Sequence, residues 1–77
     1  MKVSIDEVNM IIGSVTGRVS SLDASQLIYE IPGINSLNVA MLYLGVESKF
    51  GIEISPDEMD SIVNLEELIK LIASKLD

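Results

Sequence analysis

The chain has 77 residues, with 12 acidic and 5 basic side chains and a formal net charge of −7. It contains no cysteine and no histidine, so the commonest thiolate, general base and metal ligand are all missing. The acidic balance argues against nucleic acid and anionic membrane surfaces as partners, because phosphate contacts need Lys and Arg. We expect one domain, residues 1–77, with no catalytic residues and no metal site. No signal peptide or membrane-span pattern occurs, which favours a cytoplasmic location.

The first segment carries a helix start signal. Ser4 is followed three residues later by Glu7, which is the spacing of a capping box. Four apolar residues downstream share one helical face: Ile5, Val8, Ile12 and Val15. The pattern predicts a helix from about Ser4 to about Ser14.

The next stretch, residues 16–35, has no clear period. It is rich in Ser and Gly, yet it contains five large apolar residues: Leu22, Leu27, Ile28, Ile31 and Ile34. A connection of this length within a compact domain is usually functional. Its apolar content predicts that it packs onto the domain.

A second helix is predicted after Pro32 and Gly33, a dipeptide that usually marks a turn. Ser36 is a good N-cap residue, and the apolar pattern behind it continues to about Phe50. Gly51 is a suitable stop, because glycine tolerates the left-handed conformation found after helix ends. We predict a helix capped by Ser36 that ends near Phe50.

Two more helices are predicted near the C-terminus. Ser55 with Pro56 and Glu58 forms a second capping-box signal for a short helix, since Asn64 soon begins another. The last helix has the clearest apolar spacing in the chain: Leu65, Leu68, Ile69, Ile72 and Leu76. The alternating segment 52–54 is too short to found a sheet. The expected fold is therefore all-α, with four helices, a short third helix and a long loop between the first two.

One short motif carries chemistry. A serine that opens a helix lies beside free N–H groups and the positive end of the helix dipole, which favour an anion. As a cap alone, Ser36 would be ordinary. However, the segment Gly33-Ile34-Asn35-Ser36-Leu37 resembles the Gly-x-Asp-Ser-Leu phosphopantetheine attachment motif of acyl carrier proteins. The resemblance continues through Phe50, the acidic loop 51–58, and the apolar residues Ile62 and Leu65.

The resemblance implies a four-helix bundle of acyl-carrier type, expected to be a monomer. It also implies a 4'-phosphopantetheine arm attached to Ser36, with Asn35 and Leu37 as its neighbours. A separate phosphopantetheinyl transferase would use coenzyme A and Mg²⁺, and would supply the base that this chain lacks. The arm would carry acyl groups as thioesters between acyl-activating, condensing and acyl-transfer enzymes of fatty-acid, polyketide or related biosynthesis.

Two departures from the family pattern bear on partners. Asn35 stands where the family usually has Asp, so the shape is kept and the charge is lost. On the second helix, a stripe that is usually acidic is here neutral: Asn38, Met41, Gly45 and Ser48. We expect partner contacts from Asn38, Met41, Glu47, Asp57 and Glu58. Recognition by shape and apolar contact, and a surface that has simply drifted, both remain open.

Two alternative functions remain open. An aminoacyl, peptidyl or D-alanyl carrier would use the same arm, although the Gly-Gly-x-Ser pattern common in peptidyl carriers is absent. A helical interaction module that carries no prosthetic group would also fit a neutral second helix and Asn35. A calcium-binding helix pair is excluded, because no Asp-x-Asp-x-Asp-Gly loop occurs.

Overall fold

Four α-helices, joined by one long and two short connections, make up the computed structural model, which describes residues 3–18 and 21–76. The helices are α1 (Ile5–Thr16), α2 (Ser36–Phe50), α3 (Pro56–Ser61) and α4 (Leu65–Leu76), with a 3₁₀ turn at Ile28–Glu30. The predicted all-α architecture, its short third helix and its long first loop are confirmed. The first helix ends at Thr16 rather than near Ser14, where Gly17 takes the left-handed conformation.

The predicted capping boxes set where α1 and α3 begin. The Ser4 hydroxyl accepts the Glu7 N–H, and the Glu7 carboxylate accepts the Ser4 N–H at 3.1 Å. Ser55 and Glu58 make the same reciprocal pair at the start of α3. At the start of α4, Asn64 Oδ1 accepts the N–H of the third helical residue at 2.9 Å. Each helix start predicted from these residues therefore rests on a side-chain hydrogen bond.

The core draws apolar residues from the helices and from the connections between them. The long first connection contributes Ile28 and Ile31, and the segments beside α3 contribute Ile54 and Ile62. The helices contribute the other buried hydrophobic residues: Val8, Ile12, Val39, Leu42, Tyr43, Val46, Leu65, Leu68 and Ile72. Burying a side chain of this size stabilises the fold by about 1.5–3 kcal/mol, so the connections stabilise the fold as well as joining the helices.

Close contact between α1 and α2 depends on a glycine. A Cβ at Gly45 would lie 2.9 Å from Cγ2 of Ile11, which is nearer than real Cβ atoms approach. Because the glycine has no side chain, the two helices pack closely at this position. Any larger residue at position 45 would push α1 away from α2.

The long connection is fastened to α1 by a buried side chain. Asn9 donates from Nδ2 to the Leu22 carbonyl at 2.9 Å, and its Oδ1 accepts the Leu22 N–H at 2.9 Å. The amide therefore satisfies both backbone groups of one loop residue, as a neighbouring strand would. This contact explains why a polar residue lies among the apolar residues of α1.

The same connection also pairs with the junction between α3 and α4. The Ile28 N–H donates to the Val63 carbonyl at 3.0 Å, and the Leu65 N–H donates to the Gln26 carbonyl at 3.1 Å. An isolated antiparallel bridge joins Leu27 and Asn64. The prediction that this stretch packs onto the domain is therefore confirmed, and its backbone groups find partners without forming a sheet.

The third helix is held differently from the others. None of its residues, Pro56–Ser61, is buried, whereas Ile54 before it and Ile62 after it are. Its capping box and an ion pair from Glu58 to Lys75, at 3.0 Å, fix it from the surface side. The helix is thus held by its buried flanking residues, by this ion pair and by Met59, which is partly buried against the core.

The buried tyrosine of α2 is a structural residue. Burial raises the pKa of Tyr43 to about 12, with smaller contributions from nearby Tyr29 and Asp60. The phenol therefore keeps its proton throughout the physiological range. In the part of the chain that the structure describes, no helix is long and apolar enough to cross a membrane.

The Asn9 contact gives a direct stability prediction. We expect Asn9→Ala to lower the free energy of unfolding by about 1–3 kcal/mol, because two partly buried backbone groups of Leu22 lose their partner. Urea denaturation followed by circular dichroism measures the loss. Met10→Ala, an exposed change in the same helix, should stay within about 0.5 kcal/mol of wild type. Equal effects of the two substitutions would show that Asn9 does not anchor the loop.

Candidate functional site

A tight turn sets the chain direction just before α2. The Ile34 N–H donates to the Ile31 carbonyl at 3.0 Å across Pro32 and Gly33. Gly33 has φ of 85°, so the pair shows the type II pattern of proline followed by a left-handed glycine. Ile31 is buried and Ile34 packs against the core, which fixes the turn on the domain.

The cap of α2 is Asn35, and the prediction that Ser36 caps this helix is wrong. Asn35 has an extended backbone, and its Oδ1 accepts the Asn38 N–H at 2.9 Å. Its own carbonyl accepts the Val39 N–H at 2.9 Å, which closes the first turn. Asparagine caps as well as serine does, and it stands one residue earlier. Ser36 is therefore the first residue inside the helix.

Because Asn35 caps the helix, the Ser36 hydroxyl is available for covalent modification. The side chain is exposed, and its hydroxyl makes no hydrogen bond to any residue that the structure describes. It lies in the first turn of a 15-residue helix whose first turn contains no acidic side chain. An esterified phosphate would therefore meet the positive end of α2 without a carboxylate in that turn. These surroundings fit a phosphodiester on the serine oxygen.

Two further side chains border the turn. Asn38 donates from Nδ2 to the Gly33 carbonyl at 2.9 Å, which ties the turn to the first turn of α2. On the other side lies Arg18, from the connection after α1. A Cβ at Gly33 would stand 3.3 Å from Arg18 Nε and 3.7 Å from Cζ. The predicted partner residue Asn38 is half-buried and holds the site together.

A stripe of exposed apolar residues leads away from Ser36 along α2. Leu37 is 69% exposed, Met41 46% and Leu44 64%, and their spacing of four and three places them on one helical face. We call these three residues the α2 stripe. The predicted stripe through Met41 and Gly45 is corrected here, because Gly45 packs against α1 while Leu44 faces outward. The exposed face is neutral, as predicted, and more apolar than expected.

Glu47 has a structural contact that the sequence did not indicate. Its Oε2 accepts the Ile54 N–H at 2.8 Å, which secures the loop after α2. The side chain is half-buried, and it is the only acidic residue within α2. Its carboxylate is thus occupied in holding the loop rather than presented on an acidic face.

The two acidic residues predicted on α3 lie in different environments. Asp57 is exposed in the first turn of the helix. Glu58 closes the capping box and pairs with Lys75, and the Ser55 N–H, followed by Lys75, holds the pKa of the Glu58 carboxyl below its usual range. An open groove of about 790 Å³ separates this pair from the end of α2; Leu44, Ser48 and Ile52 are among its lining residues. The structure therefore brings Glu47 and Glu58 to one groove, while Ser36, Leu37 and Met41 lie toward the other end of α2.

Two residues of this region were missed from the sequence. The sequence does not distinguish Leu44 from a core residue, because α2 is apolar on several sides and its helical period is weak. Arg18 lies 15 residues before Gly33 in the chain, and only the fold brings them together. Its single signal in the sequence is that no other arginine occurs.

Comparison with known proteins agrees with this geometry. Residues 6–72 match the family described as the phosphopantetheine attachment site. The acyl carrier protein of Helicobacter acinonychis (strain Sheeba) is 37% identical over 57 residues, which cover 68% of this chain and 73% of that protein. The acyl carrier protein of Helicobacter pylori (strain G27) is 33% identical over 66 residues, covering 79% of this chain and 85% of the relative.

The solved structures agree as well. The crystal structure of an acyl carrier protein from Thermotoga maritima superposes with a TM-score of 0.80 at 25% identity, covering 94% of this chain and 85% of that one. The chain therefore belongs to the phosphopantetheine-attachment family, and its relatives place it among the acyl carrier proteins. Its function is that of an acyl carrier in biosynthesis, and its cofactor is covalently attached 4'-phosphopantetheine.

The corrected cap assignment leads to a stability prediction. Asn35→Ala should lower the free energy of unfolding by about 1 kcal/mol, because the Asn38 N–H loses its acceptor. Ser36→Ala should change it by less than about 0.5 kcal/mol, since the serine hydroxyl bonds to nothing that the structure describes. Thermal and urea denaturation of the two variants gives the comparison. A larger loss in Ser36→Ala than in Asn35→Ala would restore serine as the cap.

Proposed function

We propose that Ser36 is the residue that bears the phosphopantetheine arm, and that residues 1–77 act as a single carrier domain in fatty-acid, polyketide or related biosynthesis. The observation that carries the proposal is the position of its hydroxyl: exposed, unbonded and in the first turn of α2. The neighbours Asn35 and Leu37 serve the same site, the first by capping the helix and the second by its exposed apolar side chain.

The surrounding residues hold the serine in place for modification. The Ile31–Ile34 turn and the Asn35 cap fix the backbone on both sides of Ser36, so its oxygen is presented at a constant position. The N–H groups of the first turn face the place where a phosphate would sit. When bound, the arm supplies a thiol that holds acyl groups as thioesters.

Attachment of the arm to Ser36 would be catalysed by a partner enzyme and not by this chain. No group in the described part of the chain hydrogen-bonds the Ser36 oxygen, so a base and a metal ion would come from a phosphopantetheinyl transferase that uses coenzyme A. We propose that the chain has no catalytic activity of its own, that it works in the cytoplasm as a monomer, and that neither nucleic acid nor a membrane surface is its partner. Its partners would be acyl-activating, condensing and acyl-transfer enzymes.

The α2 stripe is the proposed contact surface for these enzymes. Its apolar side chains begin beside the modified serine, so an enzyme that reaches the arm would also cover them. Contact of this kind relies on apolar burial and shape, because α2 offers a single carboxylate, and that one is bonded to the loop. Asp57 lies exposed on α3 and would meet a partner that extends beyond the stripe.

Loading of Ser36 tests the proposal directly. Incubation with a broad-specificity transferase, Mg²⁺ and coenzyme A should add the mass of one phosphopantetheine to the intact protein. Ser36→Ala should abolish the gain and leave the fold unchanged, as circular dichroism would show. A gain that survives the substitution would refute the site assignment.

Absence of any gain in wild type calls for the variant Asn35→Asp. An acid at this position can still cap α2, so the fold should be preserved. Loading of Asn35→Asp alone would identify the missing charge as the obstacle for a broad transferase. Continued absence of loading in both chains would favour an interaction module without a prosthetic group.

A pair of methionines tests the α2 stripe. Met41→Ala should raise the KM of the transferase for this chain by about 3–10-fold, because an apolar contact of about 1 kcal/mol is removed. Met10→Ala is the matched control, since Met10 is 72% exposed but lies on α1. Equal KM values for the two variants would place the transferase contact elsewhere.

A further inference from the structure

The segment that carries the proposed attachment site has no charge of its own. No Asp, Glu, Lys or Arg occurs from residue 31 to residue 46, which includes the turn, the cap, Ser36 and most of α2, and the one tyrosine there, Tyr43, keeps its proton. Any charge that acts on a group attached to Ser36 must therefore come from another part of the fold. The fold places a positive charge against the turn at Gly33.

That charge belongs to Arg18. The left-handed Gly17 ends α1, and the side chain of the next residue extends to the turn before α2. The atoms nearest to a Cβ at Gly33 would be Nε, Cζ and Cδ, at 3.3, 3.7 and 3.8 Å. The guanidinium end, and not merely the aliphatic stem, therefore lies on the turn.

The guanidinium of Arg18 also makes no ion pair with any residue that the structure describes. Arg18 is exposed and makes no ion pair within the described residues, although the chain carries 12 carboxylates. By contrast, Lys70 pairs with Glu66 at 3.1 Å and Lys75 pairs with Glu58 at 3.0 Å. A guanidinium that makes no ion pair with a described carboxylate is available to receive an anion.

The turn against which Arg18 lies is close to Ser36. Gly33 precedes Ser36 by three residues, so their Cα atoms are at most about 11 Å apart even in a fully extended chain. That limit is close to the screening length of about 8–10 Å at physiological ionic strength. The Asn38 bond to the Gly33 carbonyl ties the turn to the first turn of α2, so the turn against which Arg18 lies stays close to Ser36.

We propose that Arg18 binds the phosphate esterified to Ser36, and so provides the positive side chain of the attachment site. The inference rests on the proposed function, because it requires a phosphate on the Ser36 oxygen. It gives Asn35 a second consequence: a neutral cap leaves the guanidinium to the phosphate, whereas an aspartate there would compete for it. Gly33 serves the contact by leaving room for the guanidinium where any other residue would place a Cβ.

Phosphoserine installed at position 36 by an expanded genetic code tests the contact without a transferase. Its second ionisation occurs near pH 6 and can be followed by phosphorus NMR. In low-salt buffer, a guanidinium about 8 Å from the phosphate should lower that pKa by about 0.4 pH unit, and direct contact should lower it further. We therefore expect a lower pKa in the parent chain than in Arg18→Gln.

Lys49→Gln is the matched control for charge. It removes one positive charge at the far end of α2, about 20 Å from Ser36 by helix rise, and should leave the phosphoserine pKa at the parent value. The effect of the helix dipole is common to all three chains, so their difference isolates Arg18. Equal pKa values in the parent and Arg18→Gln chains would overturn the proposal.

A second measurement uses the modified protein itself. Since Arg18 is the only arginine, its Nε–Hε group gives a single cross peak in a nitrogen–proton correlation spectrum. That peak should shift when intact mass shows conversion to the phosphopantetheine form, and an unchanged peak would count against the contact. Failure of conversion in both the parent and Asn35→Asp chains would refute the attachment proposal instead, while the phosphoserine titration would still decide the role of Arg18.

Discussion

The position of Ser36 depends on the burial of isoleucines in the connection between α1 and α2. Ile28 and Ile31 are as deeply buried as the residues of the helices, and Ile34 packs beside them. Their burial offsets the cost of ordering a connection that has no regular secondary structure over most of its length. Because the connection is fixed, the turn at Pro32 and Gly33 is fixed, and α2 begins at one defined residue.

The sequence predicted those parts of the structure that depend on neighbours along the chain. The helix starts at Ser4, Ser55 and Asn64 follow from local capping patterns, and each has its hydrogen bond in the structure. The start of α2 was misplaced by one residue, because Asn35 and Ser36 are both good caps and sequence alone does not say which has the extended backbone. The attachment motif was recognised nonetheless, since it depends on residue types and spacing.

The sequence pattern did not predict contacts between segments that are distant along the chain. Asn9 could be recognised as a polar residue on an apolar helix, but nothing in the sequence pairs it with Leu22. The exposure of Leu44 was missed for a related reason. An apolar helix gives no clear period, and the contact at Gly45 decides which side faces α1. The position of Arg18 at the turn likewise depends on how the long connection folds.

The third helix has a consequence for the motions of the domain. Since no residue of Pro56–Ser61 is fully buried and Met59 alone among them packs against the core, α3 can unwind at small cost while Ile54 and Ile62 stay in the core on either side of it. The free energy of such local opening is therefore smaller than that of unfolding the whole domain. The backbone amides of α3 should exchange with solvent faster than those of α2 and α4.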